Sequence, residues 1–276
     1  MSSADEQVRR PDGAAGTRRF RISRLRHGAA RPRMDEFDIA VGPETTLLDA
    51  LREIRSHHDR SLTLRYSCCH ASCGTCGMRA NGREVLACVT PLASLGAGPI
   101  TVEPLANARV EHDLVVDMRD LYAGLEPARR PLIRQDERLA GRDEPGPGFA
   151  RYEDCLECGL CTSACPIPGS DPLYLGPAAL AAAWRTVQEP RGADPPQVLA
   201  WVDDEQGCWR CHASFECTEV CPSGVDPAAA VMALRRELTR QRNAGTLSRS
   251  RPIPVCRRRF WPSPARQAWP RFEPFR

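Results

Sequence analysis

The chain has 276 residues, with 38 basic side chains, all of them arginine, against 35 acidic ones and a formal net charge of +3. A charge so near balance gives no argument for nucleic-acid binding, and the exclusive use of arginine deprives arginine runs of site-by-site meaning. The hydrophobic share of 42% is ordinary for two modest globular domains, and no apolar run approaches the roughly 18 residues of a membrane span.

Residues 1–17 are polar and without periodicity, which predicts a disordered start. Arg18-Arg19 has the look of a twin-arginine export signal, but Arg21, Arg24, Arg26 and Arg31 occupy the place of the apolar region such a signal needs. The expectation is a cytoplasmic protein. Phe20 and Ile22, then Phe37, Ile39 and Val41, alternate with polar positions and predict two strands joined near residues 28–32. Thr46 with Asp49 three residues on is a capping box, and Leu47, Leu48, Leu51 and Ile54 form one helical stripe behind it. A hairpin over 78–88 turns on Asn81-Gly82, the favoured two-residue pair, and Ile100 with Val102 closes the sheet. These elements predict a small α+β, β-grasp domain over residues 18–107.

The spacing then predicts a helix over about 110–122, with Leu114, Val115, Met118 and Leu121 on one face. Together with a linker ending in Pro145-Gly146-Pro147-Gly148 it fills residues 108–150. Beyond it no stretch alternates with period two. Helices are predicted over 177–187 and from 227 to about 240, the second opening on Asp226 as N-cap with Pro227 in its first turn. Residues 151–244 therefore read as an all-α domain built around cysteine loops. The tail, 245–276, is rich in arginine and proline and reads as poorly ordered. Its Arg257-Arg258-Arg259, Phe260, Trp261 and Trp269 would also suit anionic headgroups, but a solvated tail is the preferred reading.

Fourteen cysteines exceed what a cytosolic chain of this length needs. Without a secretory signal a disulfide framework loses its ground, and metal ligation leads. Cys68-x4-Cys73-x2-Cys76, with Cys88 further on, is the plant-type 2Fe–2S spacing. Three thiolates reach from one tight loop, in which Gly74 and Gly77 allow sharp bends, and the fourth arrives from a neighbouring strand. A zinc site is the alternative, but structural zinc favours paired C-x2-C units. Cys155-x2-Cys158-x2-Cys161-x3-Cys165-Pro166 is the bacterial run, in which the fourth cysteine serves the other cluster. The partner run it demands is present as Cys211, Cys217 and Cys221-Pro222, with Ser214 at the second place. The crossover rule assigns Cys155, Cys158, Cys161 and Cys221 to a 4Fe–4S cluster. It leaves Cys165, Cys211 and Cys217 for a cluster with three thiolates, which predicts 3Fe–4S. Cys208 is a possible extra ligand there, although its place outside the template favours a buried thiol. Cys69 and Cys256 read as bland.

These runs, with Cys73-Gly74-Thr75-Cys76-Gly77-Met78, Leu86-Ala87-Cys88-Val89-Thr90-Pro91, Asp113-Leu114-Val115-Val116-Asp117-Met118 and Gly176-Pro177-Ala178-Ala179, resemble the iron–sulfur subunit of succinate dehydrogenase and fumarate reductase from about Phe20 to Asn243. The fold class is then α+β: a β-grasp plant-type 2Fe–2S ferredoxin domain followed by an all-α two-cluster ferredoxin domain. The resemblance implies an electron-carrying subunit with 2Fe–2S, 4Fe–4S and 3Fe–4S clusters. It implies a flavoprotein partner that holds FAD and works on succinate or fumarate. It further implies membrane-anchor subunits with a quinone, and a peripheral place on the cytoplasmic face of the membrane. His212 and Pro166 fall where that family forms its quinone pocket, although His212 suits equally a histidine hydrogen-bonding near a cluster sulfur, and the tryptophan often supplied there is missing from Pro166-Ile167-Pro168-Gly169-Ser170. No paired carboxylates, nucleotide loop or nucleophile is present for substrate chemistry. Two other readings remain: an iron–sulfur subunit of a different flavin-linked oxidoreductase, and a zinc-stabilised interaction protein.

Overall fold

The chain enters the fold as a strand, β1 (Gly16–Arg24), whose Phe20 and Ile22 are fully buried. Gly16 and Thr17 already belong to this strand, so the ordered domain starts two residues earlier than the polar composition predicts. The structure, a computed structural model, describes residues 16–26, 28–125, 152–188 and 195–246. The expected linker and tail, with Cys256 and the aromatic and arginine cluster at its end, lie outside the described residues.

β1 pairs antiparallel with β2 (Arg33–Val41), Phe20 opposite Phe37. Helix α1 (Leu47–Glu53) follows with the predicted reciprocal cap: the Asp49 amide donates to Thr46 Oγ1 and the Thr46 amide to Asp49 Oδ2. One π-helical turn (Ile54–His58) extends it. Strands β3 (Gly77–Ala80) and β4 (Arg83–Leu86) form the hairpin, and Asn81 and Gly82 both take positive φ, the geometry of the tight turn. β5 (Ile100–Glu103) lies parallel to β1 and gives the five-stranded order β2-β1-β5-β3-β4, with α1 over one face.

The predicted helix over 110–122 is not there. Residues 110–116 form a small ribbon, β6 (Val110–His112) and β7 (Val115–Val116), and helix α2 (Arg119–Leu125) begins only afterwards. Asp113 decides this. Fully buried, at φ +46, it accepts the Leu25 amide at 3.1 Å and the Thr63 amide at 2.9 Å, and it pairs with the buried Arg24. A helical Asp113 would leave those groups unpartnered. α2 starts where Asp117 accepts the Arg119 amide.

The second domain is helical: α3 (Leu160–Ala164), α4 (Pro177–Val187), α5 (Pro195–Val202), α6 (Glu216–Glu219) and α7 (Pro227–Asn243). α5 escaped the sequence reading because its two leading prolines look like linker, although prolines suit a first turn. Asp226 caps α7 by accepting the Ala229 amide, as expected. α4 lies along α7, and Leu180, Leu199, Val202, Leu234 and Leu238 share one core. The domains exchange residues: Leu160 sits in the core of the first and Leu125 in that of the second.

Candidate iron–sulfur centres

Thirteen cysteines fall in described residues, none in a disulfide. The loop over 67–76 folds around Cys68, Cys73 and Cys76, and Cys88 reaches the same place from the 3-10 turn after β4. Cys69 and Ala71 take positive φ, which turns successive amides inward. The Ser72 amide lies 3.2 Å and the His70 amide 3.5 Å from Cys68 Sγ, while the Ala71 amide donates to Cys88 Sγ at 3.3 Å. The His70 amide, helped by that of Ser72, draws the Cys68 thiol down to about 7. Burial pushes Cys76 up to about 12. Cys73 adjoins Cys68, and both Cys88 and Cys73 adjoin Cys76. Cys69 is exposed and points back to the Ser67 carbonyl.

In the second domain α3 has Cys161 in its first turn and Cys165 at its C-cap. Cys155, Cys158 and Cys161 line one apolar cavity with Cys221. Cys158 is pushed up to about 11 by burial first and by Cys155 and Cys221 next. Cys165 instead faces Cys211, and Cys217 faces both of them. The last cysteine of each run thus crosses to the other group. Burial pushes Cys217 up to about 11. Tyr174, itself buried, shares a core with Cys165, and its hydroxyl is directed at Cys211.

Cys208 goes elsewhere. It is fully buried in the helical core, and the nearest ionic influences on its thiol are Arg235 and Asp203 rather than the cysteine trio. Ser214, His212 and Pro166 are exposed around the trio. The sequence reading missed Arg235 of α7, whose guanidinium donates to the carbonyls of Cys208 (2.9 Å), Trp209 (3.0 Å) and Cys211 (2.5 Å). Among so many arginines it carried no signal.

The donor set fits iron–sulfur clusters. Thiols pushed up by burial and by one another stay protonated unless cationic metal draws the protons off, and amides aimed at sulfur are what a cluster's thiolates accept. Among the described residues, no three His, Cys, Asp or Glu side chains converge closely enough for a single ion. Structural zinc requires that convergence, with four ligands at about 2.0–2.3 Å. A cluster distributes its thiolates over several irons, so its ligands need not converge on one point.

Fold and site together define an electron-carrying iron–sulfur protein with a ferredoxin-type domain and a two-cluster helical domain. The chain matches the 2Fe-2S iron-sulfur cluster binding domain over residues 19–123 and the 4Fe-4S dicluster domain over residues 151–225. It is 40% identical over 209 residues to a fumarate reductase iron-sulfur subunit of Mycobacterium tuberculosis, covering 72% of this chain and 83% of that one. It is 32% identical to a succinate dehydrogenase iron-sulfur subunit of Coxiella burnetii, covering 78% and 94%. Its fold matches a chain of the Mycobacterium smegmatis Sdh1 complex in the apo form with a TM-score of 0.73 at 21% identity, over 83% of this chain and 98% of that one. The chain belongs to the iron–sulfur subunits of the succinate dehydrogenase and fumarate reductase family, an oxidoreductase family whose subunit of this kind carries 2Fe–2S, 4Fe–4S and 3Fe–4S clusters.

Proposed function

We propose that this chain relays electrons between a flavoprotein subunit acting on succinate or fumarate and a quinone at membrane-anchor subunits. Cys68, Cys73, Cys76 and Cys88 hold a 2Fe–2S cluster. Cys155, Cys158, Cys161 and Cys221 hold a 4Fe–4S cluster, and Cys165, Cys211 and Cys217 hold a 3Fe–4S cluster. When bound, the clusters supply one-electron carriers at three successive points. The chain's own residues arrange them: amides of His70, Ala71 and Ser72 meet the thiolates of the first loop, and Arg235 fixes the backbone of the third. No helix among the described residues is long and apolar enough to cross a membrane; the subunit is read as peripheral, on the cytoplasmic face. His212 and Pro166, both exposed next to cysteines of the third group, would border the quinone in this reading.

The gathering of Cys221 with Cys155, Cys158 and Cys161 around one cavity, with Cys165 turned instead to Cys211, carries this reading. A zinc-stabilised interaction module has no use for it. Metal and acid-labile sulfide analysis of anaerobically purified protein tests it, with iron and sulfide expected in the proportion of the three clusters. The oxidised protein should show the paramagnetic signal of a 3Fe–4S centre. Zinc in place of iron, or an EPR-silent oxidised protein, would overturn the assignment. Copurification of a flavoprotein tests the partner.

A further inference from the structure

Beside the cluster loops, the junction between the domains is tied by a small set of polar groups. α3 is only five residues long, yet it carries Cys161 and leads into Cys165. The final carbonyls of a helix have no partner within it, so this end needs donors from outside. Asn107, in the segment after β5, provides them. Its Nδ2 donates to the carbonyls of Thr162 at 2.9 Å, Ser163 at 3.0 Å and Cys165 at 2.8 Å. Its backbone sits at φ +59, a conformation that asparagine tolerates better than most residues. This is a helix C-cap supplied by the other domain.

The next link runs through Ser163. The Ala106 amide donates to Ser163 Oγ at 2.8 Å, and the Ser163 hydroxyl donates to Glu84 Oε1 at 2.8 Å. Ser163 is buried, and Glu84 is fixed between it and Arg79. Glu84 stands in β4, the strand that leads directly into the turn bearing Cys88, and β3 beside it begins directly after Cys76. The network thus joins the backbone that holds Cys76 and Cys88 to the helix that holds Cys161 and Cys165.

We propose that Asn107 and Ser163 are positioning residues for electron transfer, fixing the separation between the Cys68–Cys88 site and the Cys155–Cys221 site. Tunnelling between carriers falls exponentially with their separation, so a junction free to open would slow the relay without touching any ligand. Asn107 is exposed on the rim, and its side chain contributes nothing to either apolar core. The inference rests on the ligand assignment under Proposed function.

The test compares the full-length, cluster-loaded chain with Asn107→Ala, Ser163→Ala and a control, Asn81→Ala. The control removes a side chain that bonds only within the first domain, to the Leu95 carbonyl and the Thr101 amide. With both clusters reduced, each is paramagnetic, and the 2Fe–2S signal relaxes faster through its dipolar interaction with the other. The expected result is loss of that fast-relaxing component in both clamp variants, at wild-type iron and sulfide content, and its retention in Asn81→Ala. Clamp variants that keep the full interaction would overturn the proposal. Should Asn107→Ala fail to retain iron, Ser163→Ala and Asn107→Asp carry the same comparison. A wild-type chain with no such interaction would instead count against the ligand assignment.

Discussion

Gly74 and Cys158 meet across the domain junction. A β-carbon on Gly74 would stand 2.9 Å from Cys158 Cβ and 2.7 Å from the Leu156 carbonyl oxygen. The loop of the first site and the loop of the second therefore touch with no side chain between them. Asn107 binds the end of α3, and Ser163 of α3 binds the Ala106 amide and Glu84, so the contact of the two loops is braced by a second set of bonds between the domains.

Gly74→Ala is predicted to part these loops. Its φ of +69 alone costs alanine about 1–2 kcal/mol, and the contact distances leave no room for the methyl group. Thermal unfolding of the cluster-loaded protein should show a lower midpoint together with slower electron exchange between the first two centres. An unchanged midpoint would contradict this account of the junction.

Cys208→Ala should leave iron content and the oxidised EPR signal at wild-type level, because that thiol lies in the helical core and away from the trio. The loss is a small buried sulfur, and a modest drop in unfolding temperature is the whole expected effect. Disappearance of the signal would make Cys208 a ligand after all.

Arg235→Ala removes a guanidinium from three carbonyls of the Cys208–Cys211 turn, and hydrogen bonds to charged groups are worth about 1.5–3 kcal/mol each. The third centre should lose iron during purification while the other two keep theirs. EPR quantification of each centre reads this directly, and equal retention at all three would refute it.

Arg24 is fully buried and lies 2.7 Å from Asp59, 3.3 Å from Asp35 and 3.2 Å from the equally buried Asp113. Arg24→Met takes this cation from Asp59 and the buried Asp113, while Asp35 keeps Arg33, and breaking a buried pair from one side costs about 3–5 kcal/mol. Arg24 and Ser61 together hold the Asp59 carboxyl well below the usual range, the Ser61 bond being the larger influence. Denaturant unfolding of the variant should show the loss, and a change within about 0.5 kcal/mol, the range of ordinary surface substitutions, would mean that the network is dispensable.

The cysteine spacings were legible before any coordinates because a cluster-binding loop is local: a few residues and their turn geometry decide which thiols can reach one centre. For the same reason the capping box at Thr46 and Asp49, the Asn81-Gly82 hairpin and the Asp226 cap appear where the sequence predicts them. Residues 110–116 were misread because their apolar spacing suits a helix, while the deciding bonds of Asp113 go to Leu25 and Thr63, far away in the chain. Asn107, Ser163 and Arg235 gave no sequence signal, since a side chain that bonds a distant carbonyl leaves no periodic trace around itself. The sequence alone determined the kinds of centre and their order. Only the folded chain decided which side chains brace them and how closely the first two approach, because those contacts exist only once the two domains have met.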